Sequence, residues 1–239
     1  MYTELQPERI LETAGALNLR ISERFPGSGL SRVGGEVRRL AADVEAVSQR
    51  LRRPIWPLRV GTIVGILAML GVMVGLVLVG LRVSPRVTGV ADLLQAIESA
   101  VNEIILLALA ICFLVSLEGR FKRRIALRAL HRLRSLAHIV DMHQLTKDPE
   151  RLLSPEMKTA SSPKYAFTRF ELARYLDYCS ELLALISKLA ALHVQYLHDP
   201  VVLTAGNDIE TLAASLSGKI WQKIMILDLA LPEQGAPGA

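Results

Sequence analysis

Aromatic residues and cysteines are scarce in this sequence, which narrows the range of possible structures and functions. Aromatic side chains make up 5% of the 239 residues, and there are two cysteines. Cys112 and Cys179 lie in different apolar segments, so we expect no disulfide and interpret both as small buried apolar groups. The basic stretches are not interleaved with aromatic residues, which argues against nucleic-acid binding. The sequence also shows no Gly-rich phosphate loop, no alternating strand pattern and no internal repeat.

Long apolar runs are also lacking in residues 1–58, so we expect no signal peptide there. Residues 60–81 then form a run without any charge, and a helix of this length covers about 33 Å, enough to cross a bilayer. A second apolar run at residues 104–117 is short, and it reaches spanning length when the helix includes residues 100–103. The sequence therefore predicts two transmembrane helices, at about 60–81 and 100–117.

Lysine and arginine are concentrated on the outer flanks of the two predicted spans. These residues are Arg50, Arg52, Arg53 and Arg59 before the first span, and Arg120, Lys122, Arg123 and Arg124 after the second. By the positive-inside rule, both termini are expected in the cytoplasm and the short connection between the spans outside.

Helical periodicity of the apolar residues predicts an all-α fold, with the two spans as a hairpin and a cytoplasmic bundle of about four long helices. The predicted helices outside the membrane cover 7–24, 29–53, 118–146, 163–197 and 200–229. Ser162 before Pro163 and Asp199 before Pro200 are typical helix starts, and no strong helix breaker separates the second span from 118–146. The predicted domains are N-terminal cytoplasmic helices (1–58), the transmembrane hairpin (59–118), the cytoplasmic bundle (119–230) and a disordered tail (231–239).

Four sequence segments resemble those of a family of uncharacterised bacterial two-span membrane proteins with a helical cytoplasmic domain. They are RFPGSGLSRV (24–33), LRSLAHIVDMHQLTKDP (133–149), RYLDYCSELLALISKLAAL (174–192) and KIWQKIMIL (219–227). The resemblance implies a bacterial source and a location in the plasma (inner) membrane. It implies no activity, ligand or catalytic residue.

The stretch LRSLAHIVDMHQLTKDPE (133–150) is the densest group of candidate metal or catalytic residues. On a helical wheel His131 and His138 share a face with three arginines, whereas His143 points well away. We favour a structural polar face, packed against the N-terminal helix, in which Asp141 holds His138. An anion or lipid-headgroup contact and a metal site completed by another helix remain alternatives, although arginines are poor neighbours for a cation.

Other polar residues in apolar surroundings have two interpretations each. His193 lies in the apolar stripe of its helix, where a hydrogen-bonded core histidine is favoured over a ligand. Asn102 and Glu103 lie at the start of the second span, where such residues mark ion paths or helix contacts. The simpler interpretation is that Glu103 reaches the outer surface.

Small residues of the first span share one face, which is typical of close helix packing. They are Gly61, Gly65, Ala68 and Gly75. The expected partner is the second span of the same chain, and a second copy of the protein is the alternative.

The sequence contains no nucleophile–base or metal constellation, so we expect no enzyme, catalytic residue, metal or cofactor. The favoured function is a non-enzymatic membrane scaffold or interaction module, whose partners are the lipid bilayer and an unidentified cytoplasmic protein. The alternative is an oligomeric channel or transporter-like assembly lined by the second span. A homo-oligomer is expected in either case, through an apolar flank of helix 163–197 that lies beside its main stripe. This flank comprises Tyr175, Leu182, Leu185, Leu189 and Leu192.

Overall fold

The computed structural model describes residues 4–83, 89–149, 167–197 and 199–229, and this part of the chain contains six helices and no strand. The predicted all-α class is therefore confirmed. The helices are α1 (Pro7–Arg24), α2 (Gly29–Arg52), α3 (Trp56–Val83), α4 (Val90–Leu145), α5 (Arg169–Gln195) and α6 (Pro200–Leu229). The predicted cap Ser162 and the predicted tail 231–239 lie outside the described residues.

The chain divides into two compact units, and helix α4 contributes to both of them. Residues 53–124 form one unit, here called the apolar unit. Residues 1–52 and 125–239 form the other, here called the core unit. The core unit is thus assembled from chain segments that lie before and after the apolar unit in the sequence.

The apolar unit consists of α3 and the first part of α4, and both helices are long and apolar enough to cross a membrane. Large hydrophobic side chains are exposed along both helices, among them Ile63, Leu67, Leu106 and Phe113. A soluble helix hides such side chains on one face, whereas a helix that is apolar all round is typical of a membrane span or a buried core helix. No residue in the most apolar stretch of either helix is buried within the protein itself, which favours a location in the membrane.

The two N-terminal helices of the core unit bury one apolar stripe each. The stripe of α1 consists of Ile10, Ala14, Leu17 and Ile21, as the sequence periodicity predicts, and all four side chains are buried. A turn at Gly27, with φ of 68°, connects α1 to α2. Such a φ suits glycine, which lacks a Cβ. Phe25 from this turn packs edge-on against Tyr175 of α5, with ring centroids 5.3 Å apart.

Helix α5 is the central helix of the core unit, since α1, α2 and α6 all pack against it. Its predicted stripe, from Leu172 to Leu197, is buried as far as His193, and Leu197 is half-buried. The flank that was predicted to bind a second copy is buried as well: Tyr175, Leu182, Leu185, Leu189 and Leu192. The predicted contact surface was therefore wrong, because the helices of one chain already cover both sides of α5.

The ends of α5 and α6 are set by local capping. Thr168 Oγ1 accepts a hydrogen bond from Glu171 N at 3.2 Å, and Thr168 N donates to Glu171 Oε2 at 2.8 Å. Thr168 caps α5 from outside the helix, so α5 begins at Arg169. The continuous helix predicted to run from Pro163 is therefore wrong at this point. At the start of α6, Asp199 Oδ1 accepts from Val201 N and Val202 N at 3.0 and 3.2 Å, as the Asp-Pro pair predicts.

Helices α5 and α6 approach closely at Gly206. A Cβ atom at this position would collide with Cγ2 of Val194, a side chain too short to move far. Glycine therefore permits the contact between the two helices at a point where alanine would force them apart.

Candidate functional site

The histidines of the predicted polar face of α4 are exposed rather than buried. His131 and His138 both face solvent, so the expected packing of this face against the N-terminal helix was wrong. Asp141 does not hold His138; its Oδ1 accepts a hydrogen bond from Gln144 Nε2 at 2.6 Å. His143 lies elsewhere, with its ring against Gly29 at the start of α2. In the described ranges, no group of three or more His, Cys, Asp or Glu residues could hold a metal ion.

Gln144 is the centre of a buried polar cluster that sequence reasoning missed. Lys223 of α6 donates from Nζ to the Gln144 side-chain Oε1 at 2.7 Å and to its backbone oxygen at 2.9 Å. The second bond goes to a carbonyl in the last turn of α4, which also accepts a hydrogen bond from Lys147 N at 3.0 Å. Burial lowers the pKa of Lys223, and the negative charges of Asp148 and Asp141 oppose this effect. The cluster therefore fixes α4 against α6.

Lys147 lies just beyond the end of α4 and is 6% exposed. Its ammonium nitrogen lies 4.7 Å from the ring centroid of Phe167 and 5.1 Å from that of Tyr175. The faces of aromatic rings attract cations, which compensates part of the lost hydration. Burial nevertheless lowers the pKa of the Lys147 ammonium.

Cys179 of α5 is buried in the same region and is electrostatically coupled to Lys147 and Lys223. Burial raises the pKa of the thiol to about 12, although the two lysines act in the opposite direction. Since the thiolate is the reactive form of cysteine, a thiol held neutral in this way is a poor nucleophile. The interpretation of Cys179 as a small buried group agrees with this geometry.

A cavity of about 280 Å³ lies in the core unit between α2, α4 and the end of α5. His193 lines this cavity together with aliphatic side chains of α2 and α4, and Asp43 and Arg132 are the charged residues in its wall. His193 is 2% exposed. Its Nδ1 lies 2.8 Å from the backbone oxygen of Leu189, whereas Nε2 is buried and has no hydrogen-bond partner among the described residues.

The candidate polar residues of the apolar unit lie apart from its main ionic cluster. Asn102 is exposed and Glu103 is partly buried. The cluster is centred on Glu118, whose Oε2 lies 2.7 Å from Arg59 Nε and whose Oε1 lies 3.0 Å from Lys122 Nζ. Sequence reasoning did not single out Glu118, although it is an isolated acid among the basic residues that follow the second apolar run.

The predicted glycine face of α3 approaches α4 at one of its four positions. A Cβ atom at Gly65 would lie 3.5 Å from Cδ1 of Leu114, an ordinary contact distance. Gly61 and Gly75 have open space around the corresponding position, and Ala68 is exposed. Thr62 Oγ1 also donates to the backbone oxygen of Leu114 at 3.5 Å, so Thr62 and Gly65 mark where the helices meet.

Comparisons of the chain with protein-family models, curated proteins and solved structures give no match.

Proposed function

We propose that this protein is a scaffold of the bacterial plasma membrane that associates with a second copy of itself through α6. In this proposal the apolar unit is a transmembrane hairpin, both termini are cytoplasmic, and the core unit presents helices to cytoplasmic proteins. The observation that carries the proposal is an exposed, uncharged row of residues along α6.

The membrane topology is supported by how the core unit is assembled. It combines residues 1–52 with residues from 125 onward, so the segments before and after the hairpin must lie on the same side of the bilayer. Two spans satisfy this condition, whereas one span does not. The Lys and Arg residues on both outer flanks then favour the cytoplasmic side.

Labelling of single cysteines tests this topology. In a variant without Cys112 and Cys179, cysteine at Gly89, between the spans, should react with a membrane-impermeant maleimide added to intact cells. Cysteine at Thr13, on the exposed side of α1, should react only after the cells are opened. Labelling of the Thr13 position in intact cells would reverse the proposed orientation.

The row of residues on α6, here called the α6 seam, repeats with alternating spacings of three and four positions. Its members are Thr204, Asn207, Thr211, Ala214, Gly218, Trp221 and Met225, all of which are exposed. This spacing is the one with which helices pack against each other in coiled coils. Trp221 is 56% and Met225 is 57% exposed. A tryptophan and a methionine exposed one turn apart form an apolar patch of the kind found at interaction sites.

A second α6 in antiparallel orientation complements the seam in shape. If the two-fold axis passes between Ala214 and Gly218, Trp221 of one copy faces Thr211 of the other. Met225 then faces Asn207 in the same way. Each large side chain meets a small one, and the same pairs occur twice, as a two-fold interface requires.

Charge also favours the antiparallel arrangement. The first half of α6 carries Asp208 and Glu210, whereas the second half carries Lys219 beside the seam and Asp228 in its last turn; Lys223 is bound to Gln144 of α4. Antiparallel packing brings Asp208 and Glu210 of one helix towards Lys219 of the other. Parallel packing would instead place like charges together, which is unfavourable.

The test compares the effects of two substitutions, each at an exposed residue of the core unit, on association of the full chain in liposomes. Energy transfer between donor-labelled and acceptor-labelled copies reports association as a function of the protein-to-lipid ratio. Trp221→Glu should weaken association at least about thirtyfold, which corresponds to the roughly 2 kcal/mol of an interface hot spot. Leu19→Glu is the matched control, because Leu19 of α1 is 60% exposed and lies outside the seam.

A monomeric wild type, or equal weakening by both substitutions, would contradict the proposal. Orientation is checked by cross-linking in the same background without native cysteines. Asn207→Cys should cross-link to Met225→Cys on another copy, and it should not cross-link to itself. Self-cross-linking of Asn207→Cys would indicate a parallel pair.

A further inference from the structure

The cavity beside His193 combines an apolar wall with one buried polar atom, Nε2 of His193, which has no hydrogen-bond partner in the part of the chain that the structure describes. Its volume is about 280 Å³. The wall contains six aliphatic side chains, from Leu40, Val44, Ala46, Val47, Ala129 and Leu133. An apolar cavity of about 150 Å³ in another protein stays dry and binds benzene. The cavity described here is large enough for a molecule with two fused rings.

The hydrogen bond of His193 to its own helix determines what the free nitrogen can do. The backbone oxygen of Leu189, 2.8 Å from Nδ1, can only accept a hydrogen bond, so Nδ1 carries the proton. Burial lowers the pKa of His193 and keeps the ring neutral at pH 7. Nε2 therefore has a free lone pair and acts as an acceptor. His193 lines the cavity, so Nε2 is the acceptor that this ring offers beside it.

A buried acceptor without a donor costs free energy, so this atom favours a ligand that brings a donor. We propose that the cavity is a binding site for an uncharged, mainly apolar alcohol, whose hydroxyl donates a hydrogen bond to His193 Nε2. The aliphatic wall contacts the hydrocarbon part of the molecule. A carboxylate does not fit the deep end of the cavity, because it offers no donor to Nε2, and its charge would lose hydration against the aliphatic wall.

The titratable groups around the cavity fit an uncharged ligand. Asp43 of α2 and Arg132 of α4 line it, and both residues are exposed. Their charges are therefore solvated, and they mark the solvent side of the cavity. Of the three polar residues that line the cavity, His193 is buried, whereas Asp43 and Arg132 are exposed.

Two probes of nearly the same shape test the proposal, 2-naphthol and 2-methylnaphthalene, which differ in a hydroxyl and a methyl group. The full chain in nanodiscs is titrated with each, and its thermal unfolding midpoint is measured. Uptake of the probes by lipid is corrected with protein-free nanodiscs. The wild type should bind 2-naphthol about fivefold more tightly than 2-methylnaphthalene, the ratio expected for one hydrogen bond.

Two variants separate the roles of the acceptor and the cavity. His193→Phe should bind both probes equally, since the ring remains and the acceptor is lost. Ala129→Phe fills the cavity and should abolish the response to both probes. If Ala129→Phe does not fold, Ala46→Phe fills the cavity from the exposed side of α2. The proposal is overturned if the wild type responds equally to both probes, or if a folded cavity-filling variant responds like the wild type. No response to either probe would also overturn the proposal.

Discussion

Replacing Leu185 by glutamate is expected to unfold the core unit rather than to separate copies of the protein. Leu185 lies on α5 and is 5% exposed, between helices that already cover both sides of α5. The substitution removes a buried leucine side chain, which contributes about 1.5–3 kcal/mol, and places an unpaired carboxylate there at a cost of several kcal/mol more. The sum, at least about 4 kcal/mol, is a large fraction of the stability of a typical domain.

Hydrogen exchange of the full chain in nanodiscs measures this effect. Amides of α5 should exchange rapidly in Leu185→Glu and slowly in the wild type. Leu19→Glu should keep the wild-type protection, because a substitution at an exposed site changes stability by about 0.5 kcal/mol or less. A Leu185→Glu variant with protected α5 amides and a changed oligomeric state would restore the contact surface that the sequence predicted.

Alkaline pH is expected to destabilise the core unit through Cys179. Burial raises the pKa of this thiol from 9.0 to about 12. Between these values the unfolded chain loses the proton and the folded chain keeps it, so the free energy of unfolding falls as pH rises. Each pH unit costs about 1.4 kcal/mol, up to a total of about 4 kcal/mol near pH 12.

Comparison of the wild type with Cys179→Ala isolates this contribution. The lowered pKa values of Lys147 and Lys223 act in the opposite sense below pH 10.5, since these lysines lose their protons earlier when folded, and both proteins contain them. Between pH 8 and pH 10.5, urea unfolding should show that the wild type loses about 2 kcal/mol more than Cys179→Ala. Equal losses in the two proteins would mean that the thiol ionises as readily in the folded protein as in the unfolded chain.

The buried stripes were predictable from the sequence because they depend on local periodicity. The four stripe residues of α1 are buried, as their helical spacing predicts. Leu130, Ala137 and Val140 follow the same spacing along α4 and are buried too. An amphipathic helix in water buries its apolar face whichever neighbour covers it. Local capping by Asp199 was predictable for the same reason, whereas the capping box at Thr168 was present in the sequence and was overlooked.

The polar contacts were not predictable, because they depend on which helix lies beside which and in what register. Helical spacing predicted a hydrogen bond between Asp141 and His138. Gln144 is also three positions from Asp141, and it donates to the Asp141 carboxylate and accepts from Lys223 of α6. The free acceptor at His193 Nε2 likewise depends on the hydrogen bond between Nδ1 and Leu189, and on the space between α2 and α4. Helix α6 is distant in the sequence from Asp141 and Gln144, and α2 is distant from His193, so no local pattern reports that they lie close together.

The division of the core unit between two distant chain segments has a consequence for biosynthesis. Helices α1 and α2 leave the ribosome before any part of α5, which covers their apolar faces in the finished protein. Residues 53–168 must first be made, which takes roughly 6–23 s at 5–20 residues per second. During that interval the first two helices can pair only with each other and, once it has been made, with the end of α4. The core can therefore close only after both apolar helices have been synthesised. A completely folded core unit thus implies that the whole hairpin has already been made.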